Sequence, residues 1–138
     1  MAVSYTAIAG SRELLAEGLN AGTCQWAFAL ASSIPGSTTF IDGTTDLATG
    51  GGYTQGGTNV STTSATEAGG VWTLILAAPG TWTASASGFT FRYILLVDKT
   101  DNYVIGYWDY GSNVVMNGTN ADTFVFTPDA GNGVIKLN

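Results

Sequence analysis

Two apolar runs decide how this sequence folds: Phe89-Thr90-Phe91-Arg92-Tyr93-Ile94-Leu95-Leu96-Val97-Asp98 and Tyr103-Val104-Ile105-Gly106-Tyr107-Trp108-Asp109-Tyr110. Between them lies the polar loop Lys99-Thr100-Asp101-Asn102. Aromatic and β-branched residues on either side of a short polar loop predict an antiparallel hairpin. Counting back from the loop sets Asp98 opposite Tyr103; Val97 with Val104, Leu95 with Gly106, Tyr93 with Trp108 and Phe91 with Tyr110 then pair on one face. The other face pairs Leu96 with Ile105, Ile94 with Tyr107 and Arg92 with Asp109. This last pair sets the one cation of the first run against the one acid of the second, which supports the register.

Both faces of this hairpin are apolar. Burying one Leu, Ile or Val side chain is worth about 1.5–3 kcal/mol, so both faces should be covered. A second sheet covers one. The N-terminal segment, the 36–70 region or another chain covers the other, because a bare apolar patch marks an interface.

Further strand signals lie on both sides. Gln25–Ala31 alternates, with Trp26, Phe28 and Leu30 on one face. Val71–Ala77 and Thr81–Ser87 flank Ala78-Pro79-Gly80-Thr81, a type II turn signal. Asp122–Thr127 and Gly133–Leu137 flank a Pro-Asp-Ala-Gly-Asn loop, a third hairpin. Residues 36–70 read as a long Gly/Ser/Thr-rich loop with one or two weak strands such as Thr58–Thr62, ordered by Phe40, Ile41, Leu47 and Tyr53. Residues 11–20 read as a helix of about two turns, capped by Ser11 and carrying Leu14, Leu15 and Leu19 on one face. That helix is either a lid on the fold or an arm that docks on a partner. The expected architecture is all-β: an antiparallel β-sandwich, jelly-roll or Ig-like, of about 8–10 short strands with a short N-terminal helix. Residues 1–24 form the arm and 25–138 the sandwich.

Composition narrows function. The chain has 138 residues, one domain's worth, with 45% hydrophobic and only 10% charged residues and a net charge of −6. Four basic residues cannot neutralise a phosphate backbone, so no nucleic-acid partner is expected. There is no His, hence no imidazole base or ligand, and the single Cys24 allows no internal disulfide and no thiolate metal cluster. No apolar stretch is long enough to span a bilayer, and the N-terminus lacks the basic and apolar regions of a secretory signal. Synthesis in the cytoplasm is expected, and without a secretory signal Asn59-Val60-Ser61 and Asn117-Gly118-Thr119 read as chance glycosylation matches.

Groups for chemistry are sparse. No Ser/His/Asp or Cys/His set exists, so no catalysis and no cofactor are expected. Asp42, Asp46, Asp98, Asp101 and Asp129 fall in turns, where Asp is favoured as a solvated local acceptor. Calcium at Asp42/Asp46 or Asp98/Asp101 is the competing reading. Gly50–Gly57 carries no Lys and opens no helix, so it is no phosphate loop. Trp26, Trp72, Trp82 and Trp108 sit at alternating strand positions, which favours core packing over a sugar-binding platform. Cys24 reads as a small buried apolar residue.

The stretch Gly50-Gly51-Gly52-Tyr53-Thr54-Gln55-Gly56-Gly57 resembles small virion proteins of tailed bacteriophages. In these a Gly-Tyr-Thr-x-Gly-Gly segment precedes a strand, then an Arg-Tyr apolar strand, then a Tyr- or Phe-Gly ending. Here those parts are Gly52–Gly57, Phe91–Asp98 and Tyr107–Gly111, followed by Asn117–Thr119, Thr123–Phe126 and Gly133–Leu137. The similarity covers about the last 90 residues, and residues 1–24 find no match. Where family members often have an acidic residue after the Phe-Gly, this chain has Ser112 and Asn113. The resemblance implies a β-sandwich structural component, a capsid decoration or cement protein on the virion surface. It would bind the major capsid protein as a dimer or trimer, without catalytic residues. Contacts are expected at Tyr5, Leu14, Leu15, Leu19, Tyr53 and the 50–57 loop, and at the second hairpin face of Ile94, Leu96, Ile105 and Tyr107. A tail, fibre or head–tail junction protein and a carbohydrate-binding β-sandwich are the alternatives.

Overall fold

A computed structural model describes residues 4–10 and 21–137. The expected helix over 11–20, with Leu14, Leu15 and Leu19, lies outside the described residues. Among those described, the chain is all-β, with ten strands and no helix: β1 (Tyr5–Ala7), β2 (Trp26–Ala31), β3 (Thr58–Val60), β4 (Thr62–Ala68), β5 (Val71–Leu76), β6 (Thr81–Thr83), β7 (Phe89–Asp98), β8 (Tyr103–Met116), β9 (Thr123–Val125) and β10 (Ile135–Leu137). They form antiparallel sheets of five strands (β1-β8-β7-β2-β3), three (β10-β5-β4) and two (β6-β9).

The β7–β8 hairpin forms the centre of the largest sheet, but its register changes twice. Asp98 pairs with Tyr103 and Val97 with Val104, as counted from the loop. Ile105 is then an extra residue, and Leu96 pairs with Gly106, Leu95 with Tyr107, Ile94 with Trp108 and Tyr93 with Asp109. The bulge turns Trp108 towards Ile94 and Leu96, and Tyr107 towards Tyr93 and Leu95, the reverse of the simple alternation. A second irregularity lies between Phe91 and Tyr93, beyond which Phe91 pairs with Val114 rather than Tyr110. Strict alternation would have put Arg92 on the same face as Ile94 and Leu96, inside the core. The irregularity instead sends Phe91 into the core and leaves Arg92 partly exposed. Its guanidinium meets Asp109 at 2.8 and 3.0 Å. The ion pair read from the sequence is therefore present, although the backbone partner of Asp109 is Tyr93.

One face of the five-stranded sheet carries Trp26, Phe28, Leu30, Ile94, Leu96 and Ile105. It packs with Leu74 and Leu76 of β5, Trp82 of β6, Phe126 and Ile135. The opposite face carries Ala27, Ala29, Ala31, Leu95, Val97 and Val104 and is covered by Ile8 and Phe40. Backbone bonds hold these covers in place: Ile8 N–H to Ile105 O at 2.9 Å, Phe40 N–H to Asn102 O at 2.8 Å and Val104 N–H to Thr38 O at 2.7 Å. The N-terminal segment and the 36–70 region thus supply the second cover.

Two expected hairpins do not form. β6 pairs with β9 instead of β5, and β10 pairs with β5 instead of β9. Pro79-Gly80 ends β5 and passes the chain to another sheet. Asp129 does the same for β9, because its carboxylate accepts the N–H groups of Gly131 and Asn132, both at 2.8 Å, and sets a tight turn. The 36–70 region holds a full seven-residue strand, β4, in addition to the weak β3. Its Thr/Ser/Ala composition hides it from an apolar pattern.

Candidate functional site

The Gly-Tyr-Thr loop is held from inside by one carboxylate. Asp46 is buried, and its Oδ1 accepts the Gly43 N–H at 2.7 Å. Its Oδ2 accepts the Tyr53 hydroxyl at 2.6 Å and the Gly56 N–H at 2.7 Å. The Tyr53 oxygen in turn accepts the Leu30 N–H at 3.0 Å, and Leu47 N–H donates to Leu30 O at 2.9 Å. The loop is thereby stitched to the end of β2. Burial and the Asp46 contact push the Tyr53 phenol well above its ordinary range. Gly57 runs so close to β2 that a Cβ there would meet Phe28 O and Ala29.

Beside the loop, Lys99 pairs with Asp42 at 2.6 Å, with its ammonium 4.8 Å from the centre of the Phe40 ring. A shallow cleft lined by Asp42, Gln55, Gly56, Asn59 and Lys99 lies at this point. The Asp42/Asp46 pair is therefore divided between an ammonium and the loop's own donors. Asp98 is also used internally: Oδ1 accepts the N–H groups of Thr100 at 2.8 Å and Asp101 at 3.3 Å. No cluster of three or more metal-ligating side chains occurs among the described residues. Asp46 and Asp98 differ from the expected solvated turn acids in being buried.

Among the described residues Asp98 Oδ2 accepts no N–H or hydroxyl, and burial raises the carboxyl above its usual range against the pull of the Thr100 and Asp101 N–H groups and the Cys24 thiol. The folded state therefore holds this proton more tightly than the unfolded chain, whose reference value is 3.8. The contribution of Asp98 to stability is greatest below that value and is lost as pH rises through the folded value. Asp98→Asn keeps the Oδ1 acceptor without the buried charge. Its melting temperature should exceed the parent's at neutral pH, with the gap closing as the pH falls through the folded value towards 3.8. Equal melting curves throughout that range would contradict this. Burial, followed by the nearby Asp98, also pushes the Cys24 thiol up to about 12, as expected of an inert core residue.

The remaining expected contact residues separate. Tyr53 is buried under the loop that it holds. Ile94, Leu96 and Ile105 are fully buried against the smaller sheets, so they present no surface to a partner in this fold. The cover that this apolar face needs is supplied by this chain. Tyr107 lies on the opposite face, half-buried, with its ring edge-on to Tyr93 at 5.7 Å. Tyr5 belongs to β1, paired with Trp108, and its ring lies over Gly106 and 5.1 Å from the Trp108 ring. A strand glycine beneath an aromatic ring is the signal of close approach that could have found this contact.

An open groove of about 540 Å³, which no sequence signal marked, lies between β8 and the run from β9 to Asp129. Trp108, Tyr110, Phe124, Phe126, Pro128 and Asp129 are among its walls. Its rings are tilted or edge-on: Trp108 meets Phe126 at 56° and Tyr110 meets Phe124 at 72°. Among the described residues the Tyr and Trp rings in contact with each other cross at 57° and 89°, and the one stacked pair at 29° is Trp82 with Phe124, where Trp82 is buried. Trp26, Trp82 and Trp108 are core residues.

Comparisons with protein-family models, curated proteins and solved structures give no match.

Proposed function

We propose that this chain is a structural virion protein of a tailed bacteriophage, a decoration (cement) protein that binds the major capsid protein and stabilises the head. In this reading the sheets form an antiparallel β-sandwich of the jelly-roll or Ig-like kind. The protein is made in the host cytoplasm and ends on the capsid surface as a homo-oligomer. The observation that carries the reading is the use made of the carboxylates. Asp46, Asp98, Asp122 and Asp129 each accept backbone N–H groups in loops and turns, and Asp109 accepts one within β8 beside its Arg92 pair, so the carboxylates are spent on the fold rather than gathered at one cleft. The likeness of the Gly52–Gly57, Phe91–Asp98 and Tyr107–Gly111 segments to small phage virion proteins supports the same role.

With both faces of the large sheet covered internally, binding falls to loops and edges. Ile34 and Ile41 are about half exposed on the loop that bears Phe40. They join Tyr5 and the outer rim of the 50–57 loop as the surfaces offered to the shell. Ile94, Leu96 and Ile105 act from within, by fixing the sheet. Cryo-electron microscopy of the particle tests the location. The proposal expects many copies of the chain across the shell. A few copies confined to one vertex or to the tail would overturn it.

A further inference from the structure

We infer that β4 is a self-association edge, through which two copies of this chain pair antiparallel into a continuous sheet across a two-fold axis. β4 is the outermost strand of the β10-β5-β4 sheet. Leu74 O accepts the Val134 N–H at 2.8 Å, so Leu74 turns its carbonyl away from β4. Ala65 is the register partner of Leu74. By the alternation of an antiparallel ladder, Ala65 and Glu67 then point their N–H and C=O groups outward, while Ser64 and Thr66 bond to β5.

Edges are ordinarily guarded by Lys, Pro, bulges or short length. β4 spans seven residues, Thr62-Thr63-Ser64-Ala65-Thr66-Glu67-Ala68, with no Lys and no Pro. Its irregularity lies at one end, between Thr62 and Ser64. Its one charge is turned back on the hairpin, where the Glu67 carboxylate accepts the Gly70 N–H at 2.5 Å.

A second copy of the same strand fits this edge. With the axis at Ala65, Ala65 faces Ala65 of the second copy, Ser64 faces Thr66, and Thr63 faces Glu67. Every facing pair is small or polar, and no two like charges meet. The two Glu67 residues lie four positions apart along the strands, about 14 Å at about 3.4 Å per residue. That exceeds the screening length of about 8 Å at physiological salt. The strip is small beside a standard interface of about 1,600 Å², so the dimer is concentration-dependent.

The pairing rests on the edge strand alone and not on the virion reading, so either can fail without the other. Sedimentation velocity of the full chain over a concentration series tests it. The expected result is a shift from one 14.2 kDa chain to two. Ala65→Pro removes an outward N–H, and the double variant Ser64→Lys/Thr66→Lys sets like charges against each other across the axis. Each should weaken dimerisation by at least about tenfold, with circular dichroism unchanged. If Ala65→Pro fails to fold, the double lysine variant decides. A chain that stays monomeric at the highest concentration, or a dimer indifferent to the lysine variant, overturns the inference.

Discussion

Replacing Asp46 with alanine should lower the melting temperature by on the order of 10 °C. The substitution leaves the Gly43 and Gly56 N–H groups and the Tyr53 hydroxyl without their acceptor. A buried donor left unmet costs about 1–3 kcal/mol. Partial relaxation of the loop places the total at about 3–4 kcal/mol rather than the full sum. Tyr53→Phe removes one bond to Asp46 and the acceptor for Leu30 N–H, so its cost should be smaller, about 1–2 kcal/mol. Combined, the two changes should cost less than their sum, because both act on one network. Additive losses in chemical denaturation would show that Asp46 and Tyr53 act separately.

Gly88→Ala is the second large effect. Gly88 has φ +71°, and a Cβ there would run into Met116 O across the β7–β8 ladder. The backbone conformation alone costs an alanine about 1–2 kcal/mol. Parting the strands to relieve the collision costs more, so a loss of about 3 kcal/mol or greater is expected. Gly70 provides the comparison: its φ is +83°, but nothing lies within 4 Å of its Cβ position. Gly70→Ala should therefore show only the conformational cost. Equal destabilisation of the two variants would contradict the close approach at Gly88.

The central hairpin was legible because two long apolar runs meet at a polar loop, and the loop fixes the first pairs. Beyond Val97–Val104 the legibility ended, since a bulge has no fixed sequence mark. Ile105 and Gly106 look like ordinary strand residues until Tyr5 arrives over the glycine. Arg92 could have signalled the second irregularity, because strict alternation aims a cation into the core. β4 was hidden for a different reason. A strand at the end of its sheet, as β4 is among the described residues, is held by backbone pairing and small side chains and carries no apolar stripe. The crossovers of β6 and β10 depend on which distant strand buries Trp82 and Ile135, and local turn signals carry no such information. The loop at 50–57 was legible as a unit. Its fastening by Asp46, a buried acid in place of a solvated turn residue, was not.

These features bear on the proposed role. The chain meets its apolar needs internally: β5, β6 and the Phe126 region cover one face of the large sheet, and Ile8 and Phe40 cover the other. What remains outside, among the described residues, is a set of stapled loops bearing Ile34 and Ile41, and the outer edge of β4. Such a body suits attachment to an ordered lattice, where shape and hydrogen bonds hold it and no reaction is required.

The most direct measurement adds purified chain to phage heads assembled without it and follows their resistance to heat. The chain is expected to bind in stoichiometric, saturable amounts and to raise the temperature at which the shell opens. Heads that neither retain the chain nor gain resistance would contradict it.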